Sequence, residues 1–127
     1  MRTLGKTYIL SPQQVVSCTP RPSMGCNGGW TENAYSYVSK VGGIEQESDY
    51  PYRSQTGNSG TCKDDPSEFV TTVTKYYTIK GESNMANYML ATGPLSVCLD
   101  ASTWNTYTGG IVSVLSLIHI SEPTRPY

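Results

Sequence analysis

Chemistry in this chain has few side chains to work with: four cysteines at Cys18, Cys26, Cys62 and Cys98, and a single histidine, His119. Four ligands of a structural zinc site would normally come as closely spaced Cys pairs with histidines behind them. No Cys-x-x-Cys pair is present, so no metal is expected, and a disulfide is the better use of these thiols. Four cysteines allow three full pairings. Gly-x-Ser-x-Gly, a phosphate-cradling Gly-rich loop and a dinucleotide fingerprint are all missing, so no cofactor is expected. The densest small-residue cluster is Gly25-Cys26-Asn27-Gly28-Gly29, a turn by composition.

The elements that would position these residues are short. Ser11 as N-cap, Pro12 at the first helical position and Gln14 three residues on read as a capping box opening a short helix. Pro20 and Pro22 stop it, leaving Thr19 to Trp30 as a constrained loop. A second helix is predicted from Thr31 to Val41. There Ala34, Tyr37, Val38 and Val41 fall at i, i+3, i+4 and i+7, and Gly42 offers a cap. The stretch from Ile44 to Phe69 loses periodicity and reads as a long excursion, uncommon unless functional or tied down. Val70 to Ile79 is β-branched and aromatic, a strand or a bent pair of strands. Ser83 to Ala91 reads as a helix stopped by Gly93-Pro94, and Leu95 to Leu99 as a buried strand. Helices first and strands second make an α+β pattern or two neighbouring half-domains.

Composition narrows the partners. The chain has 127 residues with 9 Lys+Arg against 10 Asp+Glu, which leaves no basic excess for a phosphate backbone, so nucleic acid is not expected. No apolar run reaches the roughly 18–20 residues of a membrane helix, and a soluble chain is expected. Residues 41–68 carry six acidic groups against Arg53 and Lys63, which reads as a solvated acidic face.

Leu10-Ser11-x-Gln13-Gln14-x-x-x-Cys18, Gly25-Cys26-Asn27-Gly28-Gly29, Gly43-Ile44-Glu45, Tyr50-Pro51-Tyr52, Cys62, Gly93-Pro94-Leu95-Ser96-Val97 and Gly109-Gly110-Ile111 follow one another in an order and spacing that resembles papain-like cysteine peptidases of the cathepsin type. The resemblance implies a partial papain-like fold. Residues 1–74 would be most of the helical domain and 75–113 the start of the β-rich domain. Residues 114–127 would be an unrelated tail, similar to adapter read-through. It implies cleavage of peptide or protein substrates through a thiolate nucleophile. That cysteine is expected about a dozen residues before Met1, and neither it nor the family's histidine and asparagine is found in this chain. His119 stands too close to Ile111 to be the family base, so no catalytic residue is assigned. Gly28 and Gly29 would lie beside the extended substrate, Trp30 and Thr31 would wall its apolar pocket, and Cys98 would line the same pocket as a buried small hydrophobe. The family's pairing joins Cys18 with Cys62 and leaves Cys26 unpaired. A lysosomal or secreted protein is implied. A peptidase-derived chain is the leading reading, with a non-catalytic peptide binder as the alternative and an incidental small disulfide protein behind both.

Overall fold

The computed structural model describes residues 7–98 and 104–109. The expectations for His119 and for the tail at 114–127 concern positions outside these residues, as does that for Leu99. The chain divides into two compact units, Met1–Tyr76 and Tyr77–Tyr127.

The first unit is built on two helices, α1 (Pro12–Cys18) and α2 (Thr31–Val41). α1 starts where Ser11 turns from extended backbone and its side chain accepts the Gln14 N–H at 3.0 Å. It ends after two turns because both the N–H and the hydroxyl of Thr19 fold back onto the Val15 carbonyl. The capping box is only half formed. Gln14 does not reach back to Ser11; its side chain, fully buried, turns inward to the 43–45 segment and Tyr37. The Ser11 N–H goes instead to the Glu45 carbonyl at 2.9 Å. Tertiary partners have outcompeted the local motif.

α2 has the expected ends. Glu32 and Lys40 oppose the helix dipole at its two termini, and Gly42 closes it in the left-handed conformation, φ 97°. Its buried stripe is narrower than the periodicity implies: Tyr37 and Val38 are buried, Ala34 is half-buried and Val41 is exposed. The apolar core comprises Tyr37, Val38 and Ile44, with Leu10, Val15, Cys18 and Val73 packed against it. Buried polar side chains are more numerous: Ser11, Gln13, Gln14, Ser23, Glu45 and Ser54. Such groups are tolerated only when hydrogen-bonded.

Segment 44–47 runs between residues 9–11 and 70–71, joined by two antiparallel bridges, Leu10 to Gln46 and Ile44 to Thr71. The sequence suggests a longer strand over 70–79. Only Thr71 pairs as a bridge in that stretch among the described residues, and residues 95–98 form no ladder. β-Branched residues suit a pleated surface, but a strand also needs a neighbouring edge to bond with. The long excursion is held from within by Gln13. Its amide donates to Ser17, Ser54 and the Ser59 carbonyl, while its oxygen accepts from the Arg53 N–H at 2.7 Å. A Cys18–Cys62 disulfide closes the excursion from outside. In the second unit α3 spans Glu82–Ala91, one residue longer than expected at its start. Met85 and Tyr88 are half-buried on one side, whereas Met89 and Leu90 are exposed.

Glu45 carries a pH signature. Its carboxyl is buried, and burial pushes its pKa above the ordinary carboxyl range. Asp64, Asp65 and Asp49 add to the rise, and the Asp65 N–H bonded to Oε1 opposes it. A raised folded-state pKa gives a contribution that is fully present below the unfolded value, about 4.3, and lost as pH rises through the folded one. Glu45→Gln keeps an acceptor oxygen for Asp65 and carries no charge. Its stability relative to the parent chain is therefore expected to improve as pH rises from 4 to 7, measured by urea unfolding across that range. A difference that stays flat or shrinks contradicts this origin.

Candidate substrate-binding site

The loop between α1 and α2 presents the candidate residues. A 3₁₀ turn at Gly25–Asn27 is closed by the Asn27 N–H on the Met24 carbonyl and the Gly28 N–H on the Gly25 carbonyl. The Met24 N–H returns to the Gly28 carbonyl at 2.8 Å. Gly28 sits at φ 109°, a conformation that side chains rarely adopt, with open space where a Cβ would stand. Ser59 crosses from the excursion to accept the Cys26 N–H at 2.9 Å. Buried Ser23 backs Gly29 so closely that an added Cβ would meet its Oγ at 2.8 Å, and Ser23 also accepts from the Asn33 amide.

This scaffold leaves Gly28, Gly29 and Trp30 exposed and Thr31 half-buried, in one continuous run leading into α2. Both peptide groups of Gly28 are used within the turn. Those of Gly29 differ: among the described residues, neither its N–H nor its carbonyl has a hydrogen-bond partner. Trp30 shows 46% of its surface, directly after this open backbone edge.

Cys98 belongs to the second unit and is exposed, not the buried hydrophobe that the strand pattern implies. Without a ladder partner for 95–98, its thiol stays in solvent. Cys26 is a free, exposed thiol. Cys18 Sγ, Cys62 Sγ and an Asp64 oxygen lie within 4.8 Å of one another, but both sulfurs are consumed by the disulfide and no thiolate remains there to hold a metal. The described residues contain no histidine, so no Cys–His pair can be built from them. Ser23, Asn33 and Ser59, which hold the loop in place, carry no sequence signal, since their bonds join residues 10 to 33 positions apart.

A family model described as papain family cysteine protease matches residues 1–121. Cysteine proteinase 1 of Dictyostelium discoideum is 41% identical over 119 residues, covering 86% of this chain and 34% of that protein. Cysteine proteinase 1 of Zea mays is 38% identical over 116 residues, covering 84% and 30%. The chain thus spans about a third of the length of these curated relatives. Among solved structures, digestive procathepsin L 3 from the larval midgut of Tenebrio molitor aligns with a TM-score of 0.76 and 34% identity over 88% of this chain and 37% of that one. Procathepsin L2 from the same source gives 0.73 and 30% over 92% and 38%. Motif order, fold and these likenesses agree: the chain belongs to the papain family of cysteine proteases.

Proposed function

We propose that Gly28 to Thr31 form part of the substrate groove of a thiol-dependent endopeptidase. The open N–H and carbonyl of Gly29 would pair with one residue of an extended peptide, in the manner of an added strand. One observation carries this reading: an exposed glycine whose two backbone groups are both left without a partner, on a loop braced from behind by Ser23 and Ser59. Backbone groups are strong donors and acceptors, and leaving them open is useful only where water or a ligand satisfies them. Trp30 and Thr31 flank that edge and would favour an apolar side chain on the paired residue. Peptide or protein substrates, and a lysosomal or secreted setting where the disulfide persists, complete the proposal. No nucleophile or base is assigned within the described residues.

Titration of the ¹⁵N-labelled chain with acetyl-Phe-Arg-methylamide tests the groove. Saturable shifts are expected at the Gly29 and Trp30 amides. Methylating the Phe amide nitrogen of the ligand removes its N–H and is expected to weaken binding about tenfold, the worth of one hydrogen bond in a partly dry site. Shifts centred elsewhere, or equal affinity of the two ligands, would sink the assignment. A non-catalytic peptide binder would use the same edge, and turnover separates the two. The 127-residue chain alone is expected to be inactive in either case; hydrolysis of a dipeptidyl amide, blocked by a thiol-directed epoxide, by a form that also carries the family's nucleophilic cysteine and histidine belongs to the peptidase alone.

A further inference from the structure

The last residue of α1 belongs to a cluster that the groove does not use. Cys18 Sγ, Cys62 Sγ and an oxygen of Asp64 lie within 4.8 Å of one another. In the oxidised chain the sulfurs are bonded to each other, and Asp64 Oδ1 rests 3.1 Å from Cys62 Sγ. A disulfide sulfur has no proton to give this oxygen, so the position of the carboxylate is set from its other side.

That side is built from the core. Gln14 Oε1 accepts the Glu45 N–H at 2.8 Å, which turns the Gln14 amide nitrogen toward the Tyr37 hydroxyl at 3.2 Å. A hydroxyl that receives an N–H keeps its own single proton to give. Tyr37 gives it to Asp64 Oδ2 at 2.9 Å. Gln14 is fully buried and Tyr37 is 7% exposed, so this relay holds the carboxylate from behind and leaves Oδ1 facing the sulfur. Metal-ligating side chains are oriented in the same way, by hydrogen bonds from behind. The surrounding charge has the sign a cation requires. Within residues 62–68 Lys63 stands against Asp64, Asp65 and Glu68. The Glu45 carboxyl, pushed up first by burial, is pushed further by Asp64, Asp65 and Asp49.

We propose that reduction of the Cys18–Cys62 disulfide creates a zinc site made of two thiolates and the Asp64 carboxylate, with water in the fourth position. The reductant is a small thiol or a phosphine. It delivers two electrons to the S–S bond, each sulfur takes up a proton, and the reductant leaves as its own disulfide or as the phosphine oxide. Zn²⁺ then displaces both thiol protons to solvent. Tetrahedral zinc, with Zn–S about 2.3 Å and Zn–O about 2.0–2.2 Å, sets its donors about 3.5–3.8 Å apart, a spacing that side-chain rotation reaches from atoms already inside 4.8 Å. Cys62 is exposed, which opens the fourth position to water. Two thiolates favour zinc over magnesium or calcium. Oxidised, a covalent bond closes the excursion; reduced and loaded, the metal closes it through the same two residues. The site lies within the first unit and does not depend on the peptide groove.

The test uses the 127-residue chain with Cys26→Ser and Cys98→Ser, which removes the two exposed free thiols. It is reduced with a water-soluble phosphine, separated from it without air, and titrated with Co²⁺ and then Zn²⁺. One equivalent of Co²⁺ is expected to give thiolate-to-cobalt charge transfer and the intense visible bands of four-coordinate cobalt, erased by one equivalent of Zn²⁺. The oxidised chain is expected to give neither. Asp64→Asn removes a ligand and Tyr37→Phe removes the group that orients it; each is expected to weaken zinc binding at least about tenfold. Metal held by a flexible dithiol in an unfolded chain would sense neither change. Far-UV circular dichroism of each reduced variant checks the helices, and Asp64→Asn, at a half-buried position, gives a reading that leaves the core intact. Absence of a saturable cobalt spectrum in the reduced chain, the same spectrum in the oxidised chain, or unchanged zinc affinity in either variant would overturn the site.

Discussion

Replacing Cys18 and Cys62 together by serine is expected to lower the unfolding free energy of the chain by about 4 kcal/mol. The bridge joins residues 44 apart. Cross-linking a loop of that length removes about 13 cal/mol/K from the unfolded ensemble, or about 4 kcal/mol at 25 °C. The effect is large here because the buried apolar core is small: Tyr37, Val38 and Ile44 supply it, and whole domains are stable by only about 5–15 kcal/mol. Both cysteines are changed because a single replacement would leave a thiol free to pair with exposed Cys26 or Cys98. Urea unfolding followed by far-UV circular dichroism measures the change. Cys26→Ser serves as the control and is expected to shift stability by under about 0.5 kcal/mol, as surface changes do. A loss below about 1 kcal/mol in the double variant would mean that hydrogen bonds alone hold the 44–69 excursion.

Gln14→Leu is expected to cost about 3 kcal/mol, more than most substitutions of similar shape. Gln14 is fully buried. Its oxygen accepts the Glu45 N–H at 2.8 Å, and its amide donates to the Tyr37 hydroxyl at 3.2 Å and the Gly43 carbonyl at 3.4 Å. Leucine fills much of the space but leaves a buried N–H and a buried carbonyl without partners, at about 1–3 kcal/mol for such a group. The Tyr37 hydroxyl keeps its bond to Asp64 at 2.9 Å, so burial and that carboxylate continue to hold the phenol above its usual pKa. Amide exchange gives the site-specific readout. The Glu45 N–H should exchange faster in the variant relative to the Val38 N–H, which sits inside α2. Equal protection of both amides in the two proteins would show that Gln14 is replaceable packing.

Much of this molecule is legible in its residue order, for identifiable reasons. The Ser11-Pro12 start of α1, the whole of α2 and the reach of α3 follow from local signals: a cap, a proline at the first turn, a glycine just past the end, apolar positions a turn apart. The family likewise follows from short motifs in a fixed order, each a local string. What failed depended on distant partners. Gln14 reads as half of a capping box, yet Glu45, 31 residues away, takes its oxygen. Residues 70–79 read as strand, yet among the described residues only Thr71 forms a bridge there. Cys98 reads as buried and is exposed.

The candidate site divides along the same line. Residue order alone determined that a small-residue turn at 25–29 precedes an aromatic residue and a helix, and that its backbone can be approached closely, because glycine lacks a Cβ wherever it occurs. Only the tertiary structure decided which glycine is open. The turn consumes both peptide groups of Gly28, while Ser23 and Ser59, brought in by the chain's path, brace the loop and leave those of Gly29 unpaired. The physical reason is one of range. Conformational preference acts over a few bonds and is written in neighbouring residues, whereas hydrogen-bond satisfaction is settled by whatever the fold carries alongside.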